Sequence, residues 1–149
     1  MPADNYDELD AHIAAAGDIA RASVPMGMLL AWCTNMQLLA QSVVVEHEQL
    51  ILRLRFHEVL GSELLIACGG DLRRDLFNAN GQQFLDGFYT RYPDVFRSVF
   101  GDDFYGVADN LDNYQMLAKA LAAEFFARPA SETESGIGVF KKVSRWLKG

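Results

Sequence analysis

Ten residues, Val24 to Cys33, run without a single polar side chain, and Thr34-Asn35 closes the run. It is about half the roughly 20 residues that a membrane-spanning helix needs. Met28, Leu29, Trp32, Met36 and Leu39 recur at three- and four-residue steps, the spacing of one helical face. The chain is therefore expected to fold around an apolar helix from Ser23 to about Gln41. Ser23 suits the N-cap, and Pro25 in a first turn costs little because its missing N–H would be unpaired there anyway. Trp32 reads as a core anchor rather than a ligand-stacking ring.

With 149 residues, half of them apolar and 22% charged, the composition is that of one ordinary globular domain. A domain of this size buries enough surface to need no staples. Cys33 and Cys68 are too few for a disulfide framework, and their apolar neighbours suit buried, reduced thiols. Met1 to Asn5 lacks the basic start and apolar core of a secretory signal, so the expected address is cytoplasmic.

The net charge of −7 is unevenly placed. Residues 1–136 hold 20 acids against 9 bases, a charge of −11, while Lys141, Lys142, Arg145 and Lys148 stand without an acid in residues 137–149. A body at −11 repels phosphates, which argues against a nucleic-acid reader. It suits a basic protein partner, and its field would speed their encounter.

Residues 7–22 read as a helix carrying Ile13 and Ile19. Residues 43–60 are ambiguous. Leu52 to His57 alternates like a strand, whereas Glu46 to Leu50 favours helix, and the balance leans to helix. Gly61 breaks the chain, Ser62 is placed to cap a short helix Glu63 to Cys68, and Gly69-Gly70 stops it. Asp71 to Asn80 reads as a loop with one turn of helix. Helical faces follow over 82–91 and 95–100, separated by Pro93 and ended by Gly101. A last helix carries Tyr114, Leu117, Leu121 and Phe125, capped by Asp109 or Asp112. The sum is an all-α, compact bundle of six or seven short helices, with no convincing sheet. The body is placed at 1–128, a linker at 129–136, and a basic amphipathic tail, a possible extra helix, at 137–149. The tail suits docking or folding back on the acidic body, with membrane contact the weaker alternative.

Chemistry finds little support. His47 and His57 lack the spacing that sets two imidazoles on one helical face, and three histidines with two lone cysteines make no metal-ligand set. No Gly-x-Ser-x-Gly elbow surrounds Ser62, and no phosphate loop follows Gly69-Gly70. No cofactor, metal site or enzymatic activity is expected. The distinctive stretch is Asp102 to Tyr114, with four aspartates, three aromatic rings and no Lys or Arg. Its bland reading is a solvated loop. Its functional reading is a partner-binding edge made by Asp102, Asp103, Tyr105, Asp109 and Asp112, with Phe104, Leu111 and Tyr114 turned inward.

Residues 20–128 resemble a family of small acidic bacterial proteins of unknown function, some of whose genes lie in toxin–immunity neighbourhoods. The resemblance is carried by Gly27-Met28-Leu29-Leu30-Ala31-Trp32, by Gly61-Ser62-Glu63-Leu64-Leu65 leading to Cys68-Gly69-Gly70-Asp71-Leu72, by Asp75-Leu76 with Asn78, Gly81, Phe84 and Tyr89, and by Tyr105 to Asp109 with Asn113-Tyr114. The family often places a histidine and an isoleucine before the first glycine. Pro25 and Met26 stand there instead, so no histidine role transfers. The resemblance implies an immunity-type protein that binds a cognate toxin in the cytoplasm and blocks its active site or substrate groove. The competing expectation is a self-associating scaffold or regulatory interaction module without catalysis.

Overall fold

The computed structural model describes residues 4–127. The linker and basic tail, with the docking and membrane expectations attached to them, lie outside the described residues. The order of elements is β1 (Asn5–Glu8), α1 (Asp10–Ala16), α2 (Ile19–Asn35), α3 (Gln41–Glu46), α4 (Glu48–Arg55), α5 (Gly61–Ala67), β2 (Asp71–Arg73), α6 (Ala79–Phe88), α7 (Tyr92–Phe100) and α8 (Leu111–Phe126). Only His47 separates α3 from α4, and counted as one broken helix they bring the α-helices to seven. The fold is helical as expected, and the ambiguous stretch is helix to Arg55, with a turn over 56–60 and no strand.

The first corrections fall at the N-terminus. The helix expected over 7–22 is divided. Gly17 ends α1 at φ 97°, a conformation that suits a residue without Cβ, and Asp18 starts α2 by accepting the Arg21 N–H at 2.7 Å. Ser23 is therefore no cap: it lies inside α2, and its hydroxyl donates to the Ala20 carbonyl. Pro25 sits in the helix interior, and the Tyr92 hydroxyl donates to its carbonyl. The helix ends at Asn35, not near Gln41.

A two-stranded antiparallel sheet is the second departure. Asp7 pairs with Leu72 and Glu8 with Asp71, and an irregularity between Asn5 and Asp7 marks a bulge. Its two short strands lie more than sixty positions apart, so no hairpin turn announces them. The Tyr6 hydroxyl donates to Asp86 at 2.6 Å, and Arg74 grips the same carboxylate through two bonds, fixing β1 against α6.

Every residue of α2 from Ala22 to Thr34 is buried, as befits a helix apolar on all sides. Trp32 is in the core, edge-on to Phe125 and tilted on Phe84, which stacks on Phe88 at 4.8 Å. Both cysteines are free and buried, and burial pushes the Cys33 thiol up. The tightest seam joins α2 to α5. A Cβ added to Gly61 would stand 1.9 Å from the Gly27 carbonyl oxygen, and one on Gly27 would stand 2.5 Å from the Ser62 nitrogen. Backbone touches backbone there, which explains why both motifs of the resemblance begin with glycine.

Two further caps differ from expectation. Leu60, not Ser62, is the N-cap of α5, and the Glu63 carboxylate reaches back to accept the Leu60 N–H at 2.8 Å. Asn110, not Asp109 or Asp112, caps α8 by accepting the Asn113 N–H. In each case a side chain three residues away, or one position off, has the better reach.

Candidate functional site

Residues 101–110 form a strap between α7 and α8, and its two ends meet α2 at two cavities. At the α7 end, Phe104 and Tyr105 share a cavity of about 110 Å³ with Ala22, Pro25 and Met26 of α2. At the α8 end, Asp109, Leu111 and Tyr114 share a cleft of about 50 Å³ with Met28, Ala31 and Asn35, about two turns further along the same helix.

The α7 end is densely hydrogen-bonded. Phe104 is buried against Phe96 at 4.9 Å, and the Arg97 guanidinium lies over its ring at 4.9 Å. The Tyr105 hydroxyl meets His12 Nδ1, and His12 Nε2 lies 2.8 Å from both Asp7 carboxylate oxygens. The Tyr89 hydroxyl donates to Asp7 Oδ2. Burial, then the Asp7 charge, pushes the Tyr105 phenol up. Burial and Asp7 do the same to Tyr89. Both phenols therefore stay protonated and act as hydrogen-bond groups, not as bases. Tyr105, expected as an exposed contact, is half-buried and committed to His12.

Asp7 and His12 were invisible as a pair in the sequence. They are five positions apart, one on a strand and one on a helix, and no helical or strand period puts them together. The β1 bulge beside Asp7 is a feature that commonly re-aims side chains at sites.

The α8 end is open and apolar. Ser62 Oγ donates to Asp109 Oδ2 at 2.8 Å. Burial pushes the Asp109 carboxyl above its ordinary range, the Ser62 bond opposes this, and the nearby Glu63 charge adds to it. Among the described residues no Lys, Arg or His makes an ion pair with Asp109. Leu111, expected to point inward, is 37% exposed, and Leu60 opposite it is 38% exposed. The Tyr114 hydroxyl accepts from the Asn35 amide at 2.7 Å.

His57 lies in the wall of this cleft at φ 61°, left-handed for a residue with a Cβ. Its N–H bonds the Leu54 carbonyl and the Glu58 N–H bonds the Arg53 carbonyl, the paired closure of a Schellman motif. Gly69 closes α5 in the same way. A histidine thus occupies a position that glycine would hold without strain.

The remaining expected contacts separate. Asp102, Asp103 and Asp112 are exposed. The Asp103 carboxylate folds over Gly106, where a Cβ would stand 1.9 Å from Oδ2. The five residues expected as one edge are thus spread along the strap and its junction with α8. Asp109 alone of them lines the cleft, Tyr105 belongs to the other cavity, and no single patch gathers all five.

Residues 5–126 match a family described as a domain of unknown function (DUF7832). The chain belongs to that family. The match spans both cavities, the strap between them and the Gly27–Gly61 seam. No curated protein and no solved structure matches the chain. Among the described residues no helix is long and apolar enough to cross a membrane, and no three His, Cys, Asp or Glu side chains are placed to hold a metal ion.

Proposed function

We propose that this DUF7832 protein is a non-enzymatic binding module of the immunity type, which captures a basic side chain of a toxin or effector in the Asp109 cleft and so blocks that partner's active site or substrate groove. The observation that carries the reading is the half-buried Asp109 carboxylate, lifted by burial and lacking a cationic partner among the described residues. An arriving Lys or Arg supplies that missing charge and relieves the cost of holding the carboxylate there. Leu60 and Leu111 give apolar contact around it, while Asp102, Asp103 and Asp112 extend the negative field over the approach. The partner acts in the cytoplasm in this reading.

The test is co-expression with the polypeptide encoded beside this gene, followed by gel filtration and a growth assay. A stable complex and rescued growth are expected, and Asp109→Asn should lose both while keeping its helical signal. Absence of any complex with the wild-type protein sinks the reading. Phe56, 68% exposed, and Leu52, 49% exposed, favour self-association as the second reading. A concentration-dependent dimer by light scattering, with no hetero-complex, would select it.

A further inference from the structure

The cavity at the α7 end of the strap holds an unspent binding capacity. Asp7 is satisfied: it accepts from His12 Nε2 and from Tyr89. Its oxygens are therefore already bonded within the protein. Arg97 is in the opposite condition. Its guanidinium carbon lies over the Phe104 ring, 4.9 Å from the ring centre, and no carboxylate pairs with it among the described residues. Its charge reaches the Tyr105 phenol, which it draws down against the larger upward push of burial and Asp7. Arg97 and Tyr105 both line the cavity.

Ala22, Pro25, Met26 and Pro93 give the cavity its apolar walls, and Asp7 with its partners His12 and Tyr89 lines the rest. The cavity, at about 110 Å³, is far larger than the space one water needs. It takes a polar head and a few carbons, and it is too small for a helix or a strand of a partner. A planar guanidinium matches the two oxygens of a carboxylate, and one that rests over an aromatic ring without an ion-pair partner keeps its fork of donors unspent. Tyr105 stands beside it as a fixed wall: His12 holds its hydroxyl through Nδ1, and Asp7 in turn holds His12, a chain of side chains from β1, α1 and the strap.

We propose that this cavity is a binding site for a small free carboxylic acid with a short apolar stem. Arg97 provides the charge partner, and Tyr105, His12 and Asp7 act as positioning residues. The site is independent of the Asp109 cleft, and its failure leaves the cleft reading untouched.

Sodium propionate is the probe, titrated into the ¹⁵N-labelled full chain at constant ionic strength against sodium chloride, with propionamide as the uncharged isostere. Saturable shifts are expected at the Arg97 side-chain N–H and the amides of His12 and Tyr105, with propionamide and chloride giving none. Arg97→Gln should weaken propionate binding by at least about tenfold, the loss of a charge-assisted pair. Arg91→Gln, which breaks the Arg91–Glu124 ion pair instead, should leave affinity unchanged. Tyr105→Phe should weaken binding by a smaller factor than Arg97→Gln. Arg97 is exposed and its replacement leaves the core intact, so a preserved spectrum is expected for that variant. Non-saturating shifts, equal response to propionamide, or an Arg97→Gln variant that binds as the wild type does would each overturn the site and leave the cluster as a purely structural tie.

Discussion

The two ends of the strap solve opposite problems with similar residues. At the α7 end, a carboxylate, an imidazole and two phenols satisfy one another, and Asp7 and His12 are only 19% and 21% exposed. At the α8 end, a carboxylate of similar kind has a single hydroxyl for company and two exposed leucines, Leu60 and Leu111, in the same cleft. The first arrangement ties β1 and α1 to the rest of the molecule. The second leaves a half-buried carboxylate without a cation, the gap that the proposed partner would fill. The contrast teaches that an acidic, aromatic stretch is not one site: its aromatic half is drawn into the fold, and one carboxylate of its acidic half is held where it is least comfortable.

The strongest way to break the comparison is to remove what both ends rest on. Gly61→Ala places a Cβ against the Gly27 carbonyl, and because backbone is the neighbour nothing can swing aside. A loss of about 3 kcal/mol or more is expected in chemical denaturation, with both cavities lost together. Asp7→Ala attacks the tied end alone. It leaves Tyr89 and His12 without their acceptor, and a loss of roughly 1–3 kcal/mol is expected, with no change in partner binding at the Asp109 cleft.

The open end should respond with the opposite sign. His57→Gly relieves a left-handed residue at the α4 Schellman closure, and thermal unfolding should show a gain of about 1 kcal/mol. Gln37, at φ 59° and closing α2 in the same way, gives the matching control away from the cleft. If His57 serves the cleft, His57→Gly gains stability while partner affinity falls, and Gln37→Gly gains stability alone. The smallest effect belongs to Asp109→Asn. The folded state raises the Asp109 carboxyl, so the native chain holds that proton to higher pH than the unfolded chain does. Stability from this group is therefore present in acid and is lost as pH rises through its shifted range. Asn keeps an acceptor for Ser62 without the charge. At neutral pH the variant should be more stable by under about 1 kcal/mol, since solvent screens a half-exposed group, and the difference should vanish in acid. An equal gain at both pH values would refute the buried-charge account.

What could be read in the sequence followed from local chemistry. The three- and four-residue apolar steps around Trp32 mark α2 as core, and Tyr114, Leu117, Leu121 and Phe125 mark α8, because helical period is a local property. The ends were less legible. Ser23, Ser62, Asp109 and Asp112 all have capping chemistry, yet Asp18, Glu63 and Asn110 do the capping, since which oxygen reaches an N–H depends on backbone placement within about one residue. The sheet and the Asp7–His12–Tyr105 chain depend on contacts between segments 60 to 100 positions apart, for which no spacing rule exists. For the candidate contacts, composition singled out the stretch 102–114, and the division of its residues between two cavities required the fold.

The pairing of β1 with β2 also sets an order of assembly. Synthesis delivers Asp7 first, yet its partners are Leu72 on the strand, then Tyr89, and His12 must wait for Tyr105. Almost a hundred residues separate Asp7 from Tyr105, which amounts to roughly 5–20 s of translation at ordinary rates. Gly27 meets Gly61 far sooner, within a separation of 34 positions. Asp7 and His12, made well before their partners, are thus among the last of these residues to find their places, and the cavity they line closes after the helical seam.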